Sequence, residues 1–261
     1  MKIERKIVKY NNKIFQKVND VVAGEQPITI YLNGEEVVTL LCTSEYLQDL
    51  AIGFLTAEGL LARDADIKTH LEIEKGIVWV DSSNTSKLSK VNFAKRMITT
   101  GCGKGTSMYH YHGKRKMILS HLEVPIDVLS NGLKEMQSKS ELYQTTGGVH
   151  SSALMHKSGE IIVFREDVGR HNAADKILGF CINKNITMED KIFLTSGRIS
   201  SEIVGKVAHM QIPILISRAA PTSLAIDIAE ELGLTVLGFV RGKRANIYTN
   251  AQRILITQNP T

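Results

Sequence analysis

The sequence predicts an α/β protein in which a smaller α+β unit precedes a larger α/β one. Three observations carry that prediction. Between residues 192 and 240, runs of Ile, Val and Leu alternate with amphipathic helical stretches, the pattern of a sheet with crossover helices. Upstream of these, a tight-turn hairpin signal is followed by one amphipathic helix. A chain of 261 residues, 43% hydrophobic and 23% charged with only five prolines, can also bury a real core and is not disordered or fibrous.

The chain opens with an extended stretch. Residues 27–32 and 35–42 flank Asn33 and Gly34 as a hairpin. Ser44 is then placed to cap a helix in which Leu47, Leu50, Ala51, Phe54 and Leu55 form one stripe, facing the hairpin. Residues 77–80 read as a strand and the polar run 81–90 as a loop or hairpin tip. The boundary is placed between residues 123 and 124, giving a small α+β domain (1–123) and an α/β domain (124–261). Pro125 opens a helix whose stripe, Ile126, Leu129, Leu133 and Met136, runs towards Tyr143. Residues 149–155 and 160–164 form a second hairpin around Lys157, Ser158 and Gly159, and 173–181 suit a helix. Strands at 192–194, 212–216 and 234–240 then alternate with helices around 203–210 and 222–232, the latter stopped by Gly233. Such continuously apolar strands belong to a sheet covered on both faces.

Thirty-two Lys and Arg against 27 Asp and Glu leave a formal charge of +5, which favours anionic ligands. Aromatic residues are only 6% and no basic stripe is interleaved with them, so nucleic acid is not an expected partner. No apolar run approaches the roughly 20 residues that cross a bilayer, and the charged N-terminus is not an export signal, so no membrane partner is expected. Three widely spaced cysteines give neither a disulfide framework nor paired zinc ligands, which points to a reducing cytoplasm.

The loop from Thr99 to Gly105 places three glycines around Cys102 and forgoes regular structure. Lys104 and Arg96 would stabilise a thiolate there, although a turn with an incidental cysteine has the same composition. Cys42 and Cys181 fall in apolar patterns and read as small core residues. A second cluster comprises Gly147 to Ser151 and Arg165 to Asn172, with His150, His171, Arg165, Arg170, Glu166 and Asp167. It fits either a patch that binds phosphate or pterin edges or an internal salt-bridge network. No two of its side chains have a metal-ligand spacing, so no metal ion is expected. Ser196 to Arg198, Ser217 to Ser223 and Phe239 to Arg244 each follow a strand. In an open α/β sheet the carboxyl ends of the strands form the ligand crevice, and these loops suit a phosphorylated ligand. A nucleotide P-loop is absent at Gly103 and Lys104, because Gly105 and Ile98 stand where a hydroxyl residue and a glycine are required. A zinc deaminase is excluded because His150 is followed by two serines and no cysteine pair exists.

Five ordered segments, 146–154, 165–176, 196–204, 220–225 and 238–248, together resemble the FdhD/NarQ family of formate dehydrogenase accessory sulfurtransferases. The resemblance implies a cytoplasmic sulfur carrier. Such a carrier takes sulfur from a cysteine desulfurase and passes it to the molybdenum cofactor, as bis-molybdopterin guanine dinucleotide, before insertion into formate dehydrogenase. It further implies a cytidine-deaminase-like three-layer C-terminal core without the deaminase zinc ligands, and a homodimer. Residue by residue, Cys102 matches the persulfide-bearing cysteine. Phe239, Val240, Arg241, Gly242, Lys243 and Arg244 match the stretch assigned to cofactor binding. Many relatives carry a second cysteine three positions after the first, where this chain has Gly105. The alternative is a chaperone that binds the cofactor without carrying sulfur.

Overall fold

The computed structural model describes residues 1–83, 85, 97–98 and 116–256. The Cys102 loop lies outside the described residues. The extended opening is a two-stranded antiparallel ribbon of β1 (Lys2–Asn11) and β2 (Ile14–Ala23), turned at Asn12 and Lys13, both with positive φ.

A five-stranded sheet follows, built from β3 (Gln26–Leu32), β4 (Glu35–Cys42), β5 (Ile67–Glu72), β6 (Ile77–Ser82) and β7 (Met97–Ile98), in the order β5-β6-β3-β4-β7. The β3–β4 hairpin turns where the sequence predicts, with φ of +49° at Asn33 and +82° at Gly34, the left-handed pair that such turns require. The Asn33 side chain adds a second role by donating to the Ser82 carbonyl at 3.0 Å and accepting from the Ser82 amide at 2.9 Å. Helix α1 (Leu47–Ala57) packs on this sheet. Ser44 does not cap it. Tyr46 holds the N-cap position in a left-handed conformation, φ +56°, and contributes no side-chain cap. Nor is α1 apolar on one stripe only: every residue of it except Gln48 is buried, as in a helix covered on all sides.

The second sheet is six-stranded and mixed. It contains β9 (His150–His156), β10 (Ile161–Asp167), β11 (Lys191–Thr195), β12 (Ile214–Ser217), β13 (Thr235–Arg241) and β14 (Arg244–Thr249) in the order β10-β9-β11-β12-β13-β14. Strands β11, β12 and β13 are parallel, and the β9–β10 hairpin joins the same sheet through β9, antiparallel to β11. Period-two alternation divides its side chains between two cores. Leu154, Phe193, Leu215 and Val236 face α4 (Arg170–Asn183), α5 (Ser201–His209) and α6 (Ser223–Glu231), whereas Met155, Leu194, Ile216 and Leu237 face α2 (Ile126–Ser138). The predicted cover on both faces is therefore present. The apolar stripe beginning at Ile126 does not run unbroken to Tyr143: α2 ends at Ser138, and a short helix α3 (Glu141–Thr146) starts afresh after Ser140. A small parallel pair, β8 (Val124–Pro125) with β15 (Ile254–Leu255), ties the chain end beside α2.

Helices α1 and α4 join the two sheets with almost no side chain between them. A Cβ on Gly53 would lie 1.9 Å from the Asp175 carbonyl oxygen, and one on Gly179 1.8 Å from that of Asp49. Ion pairs flank the crossing. Lys206 contacts both Asp175 oxygens at 2.7 and 2.9 Å and lies 3.9 Å from Glu58, while Arg165 bridges to Asp49 at 2.9 Å with its guanidinium over the Tyr46 ring. Burial works against the Lys206 charge, but Asp175 and Glu58 outweigh it and raise its pKa.

Candidate functional site

A cleft of about 620 Å³ opens at the carboxyl ends of β11, β12 and β13. Each of the three strand-end loops contributes to it: Ser196 after β11, Arg218 and Ala219 after β12, and Arg241 at the end of β13. The opposite wall is the Gly147 to Ser151 segment entering β9, with Gln137, Ser140, Tyr143 and Gln144 from α2 and α3. The two sequence clusters that read as ligand sites therefore converge. Two arginines and a histidine line the cleft, and no described residue in its lining is acidic, so it attracts anions.

Hydrogen bonds between loops set the rim. The Ser151 amide donates to the Ser196 hydroxyl and the Ser196 amide donates back to the Ser151 carbonyl, both at 2.9 Å. Ser217 donates to the Gly197 carbonyl at 2.7 Å and accepts from the Ala219 amide at 3.0 Å, while the Phe239 amide donates to the Ala219 carbonyl at 3.3 Å. Ser217 is thus a fully buried tie between loops, not a ligand-facing hydroxyl. Ser200 caps α5, its hydroxyl accepting from the Ile203 amide. Arg198 is exposed and outside the cleft lining.

In the 239–244 stretch, Arg241 alone lines the cleft. Phe239 has φ +53°, a costly conformation for an aromatic residue, at an irregularity in the β13–β14 pairing between Gly238 and Arg241. Val240 is buried in the core against α2, and Gly242 with Lys243 forms the two-residue turn into Arg244. Gly242 supplies the left-handed φ, +55°, that starts this turn. Lys243 and Arg244 are exposed.

Behind the cleft, a Cβ on Gly197 would sit 3.0 Å from the Arg170 Cβ, a tight contact, and 3.5 Å from His150 Nδ1, an ordinary one. Burial, then Arg170 and His171, push the His150 imidazole below its ordinary pKa, against a smaller opposing pull from Asp167. Burial and Arg198 likewise lower Arg170, whose Nε is buried with no hydrogen-bond partner. His171 points away, to Glu202 at 2.9 Å.

The other members of the second cluster build the interior. Lys176 and Asp167 are both fully buried and 2.6 Å apart. Thr43 donates its amide and hydroxyl to Asp167, each at 3.0 Å, and its hydroxyl also accepts from Lys176 at 2.7 Å. Asn172 donates to Asp167 at 2.9 Å and to the Leu41 carbonyl at 2.8 Å. Glu166 is bound by the Ser140 hydroxyl, which also pairs with Ser151 at 2.8 Å. The cluster is thus divided: His150 and Ser151 line the cleft, whereas Asp167 and Asn172, joined by Lys176 from outside the cluster, form an internal network that locks the first sheet onto the second. Sequence reasoning missed Lys176, a lysine in an apolar helix pattern, and the α2–α3 wall, whose signal was the loss of the stripe after Met136.

Cys42 and Cys181 are sealed in the core. Burial pushes both thiols up to about 12, helped at Cys42 by Asp167, so neither is a nucleophile at neutral pH. Among the described residues no group of three or more His, Cys, Asp or Glu side chains is placed to hold a metal ion.

The family model described as FdhD/NarQ matches residues 23–255. The chain belongs to the FdhD/NarQ family. It is 41% identical over 255 residues to the sulfur carrier protein FdhD of Geobacillus kaustophilus, covering 97% of both chains. It is 39% identical over 253 residues to the protein of the same name from Bacillus subtilis, covering 96% of each. The fold matches a crystal structure described as that of a formate dehydrogenase accessory protein from Desulfotalea psychrophila. That match has a TM-score of 0.78 and 25% identity and covers 97% of this chain and 99% of that one. No described helix is long and apolar enough to cross a membrane.

Proposed function

We propose that this protein is a cytoplasmic sulfurtransferase of formate dehydrogenase maturation, which carries sulfur on Cys102 from a cysteine desulfurase to the molybdenum cofactor. The observation that carries this reading is the state of the other two thiols. The chain has three cysteines, and two of them are buried with strongly raised pKa values. In a family whose relatives are named sulfur carriers, that leaves Cys102. Its thiolate attacks the outer sulfur of the desulfurase persulfide. A new S–S bond forms as the donor S–S bond breaks, the desulfurase cysteine leaves as a thiolate, and no net oxidation occurs.

The cofactor, here the substrate, is bis-molybdopterin guanine dinucleotide. Its diphosphate charge suits the cleft, where Arg218 and Arg241 offer fork-shaped donors without a competing carboxylate. The remainder of the 239–244 stretch would act by shaping the turn that presents Arg241. The 2-1-3-4-5 strand order of β9 to β13, with β9 antiparallel to its neighbours, supports a cytidine-deaminase-like core for the larger domain; the homodimer is proposed on the family resemblance alone.

After incubation with desulfurase and cysteine, intact and peptide masses should show one added sulfur on Cys102. Cys102→Ser should fold, take up none and leave formate dehydrogenase immature. Arg218→Ala and Arg241→Ala should each weaken guanosine diphosphate binding about tenfold while leaving sulfur uptake intact. Gly105, where a second cysteine is common in relatives, favours one competing reading, a cofactor chaperone that carries no sulfur. On that reading no sulfur appears on the protein, and Cys102→Ser still supports maturation.

A further inference from the structure

The β1–β2 ribbon is joined to neither sheet, and no described residue pairs with the outer edge of either strand. A two-stranded ribbon is marginal by itself and becomes stable when a face or an edge is covered. Ten paired residues on each strand give it a length of about 34 Å at ~3.4 Å per residue. Val8, Tyr10, Ile14 and Phe15 at its far end are 59, 61, 58 and 72% exposed, and Tyr10 stacks across the strands on Phe15 with ring centroids 5.1 Å apart. Nothing in the described fold uses these side chains.

Charge sets the ribbon apart further. Lys2, Arg5, Lys6, Lys9, Lys13 and Lys17 face only Glu4 and Asp20, so these first 23 residues hold four of the five excess positive charges of the whole chain. The base of the ribbon adjoins the cleft: a Cβ on Gly148, a cleft residue, would meet Ala23 Cβ at 3.2 Å. The ribbon therefore runs from the cleft at Ala23 to the aromatic pair at its turn, and a partner lying along it would reach from one to the other.

We propose that the ribbon is a docking arm for an acidic protein surface with an apolar centre. Resting on the sulfur-carrier reading, we assign that surface to the sulfur-donating desulfurase. An exposed aromatic pair surrounded by lysines has the composition of an interface centre with a charged rim. Apolar cross-strand pairs, Ile3 with Val22 and Ile7 with Val18, lie on the opposite face of the ribbon from Tyr10 and Phe15, so both of its faces carry apolar side chains. Its edges offer unpaired backbone donors and acceptors that another protein strand can satisfy. Nucleic acid and lipid offer no such strand, and a second copy of the ribbon would bring like charges together.

Two full-length variants test this, Tyr10→Ser with Phe15→Ser and Lys6→Glu with Lys9→Glu, each first shown by circular dichroism to keep the parent fold. Each should bind the cysteine desulfurase at least about tenfold more weakly than the parent, and take sulfur from desulfurase plus cysteine correspondingly more slowly. Loading from inorganic polysulfide should be unchanged, since thiolate exchange with it releases a shorter polysulfide and needs no docking. Raising salt from about 50 to about 500 mM should weaken parent binding more than binding of the charge-reversed variant. The proposal is overturned if both variants bind and load like the parent, if the parent prefers duplex DNA or phosphatidylglycerol vesicles to the desulfurase, or if the variants disrupt the homodimer while still binding the desulfurase like the parent. Should the parent bind desulfurase yet accept sulfur from neither donor, the carrier reading fails, and the binding of the variants alone then decides the ribbon.

Discussion

Lys176 and Asp167 show how much a single residue can hold in this structure. Both ions are fully buried, and the hydroxyl of Thr43 and the amide of Asn172 complete the shell of Asp167, so neither charge is left uncompensated. Removing one partner strands the other. Lys176→Met or Asp167→Asn should therefore cost about 3–5 kcal/mol, read as a lower urea midpoint, whereas the Arg63–Glu189 pair at the surface should contribute under about 1 kcal/mol. Thiol chemistry gives a second expectation at this scale. Iodoacetamide should label the native protein at Cys102 and label Cys42 and Cys181 only after denaturation, as peptide mapping would show. The roles of Cys42 and Cys181 were legible in sequence because an apolar pattern places a small residue inside. Lys176 was not, because its partners Thr43 and Asp167 lie 133 and nine positions away and only the fold joins them.

Among the elements, those governed by local chemistry were readable in advance. Asn33 and Gly34 select their turn by backbone preference, and the strands β11 to β13 with α5 and α6 follow from hydrophobic period and helix-stop residues. The cleft was half readable. Its strand-end loops were visible as polar breaks, but the wall containing His150 depends on β9 entering the sheet beside β11, a pairing that no local signal announces. The α1–α4 crossing was invisible for a similar reason. Gly53 and Gly179 are both helical, where glycine ordinarily weakens a helix, and the gain arises only when the two backbones meet. Gly53→Ala or Gly179→Ala should improve helix propensity and still destabilise by more than about 2 kcal/mol, since each Cβ would meet backbone and not a movable side-chain end. Equilibrium unfolding in urea would measure it.

For the molecule as a whole, stability should fall in mild acid. Burial, reinforced by neighbouring cations, holds His150 and His209 below the ordinary imidazole value of 6.5, so on unfolding each takes up a proton that the folded state refuses. Their contribution is present above that value and is lost as pH drops through it towards the folded pKa. Glu58, whose carboxyl burial pushes up, acts oppositely at lower pH, so the decisive comparison is with a variant. Between about pH 7.5 and about pH 5.5 the urea midpoint of the parent should decline more steeply than that of His150→Gln with His209→Gln. The close helix crossing carries a consequence at this same scale. Because Gly53, Gly179 and the flanking ion pairs bind one half of the protein to the other, the covalent link between Ile98 and Lys116 is not what keeps them together. Two separately expressed fragments, severed in that interval, should find each other and co-elute as a single species of parental size.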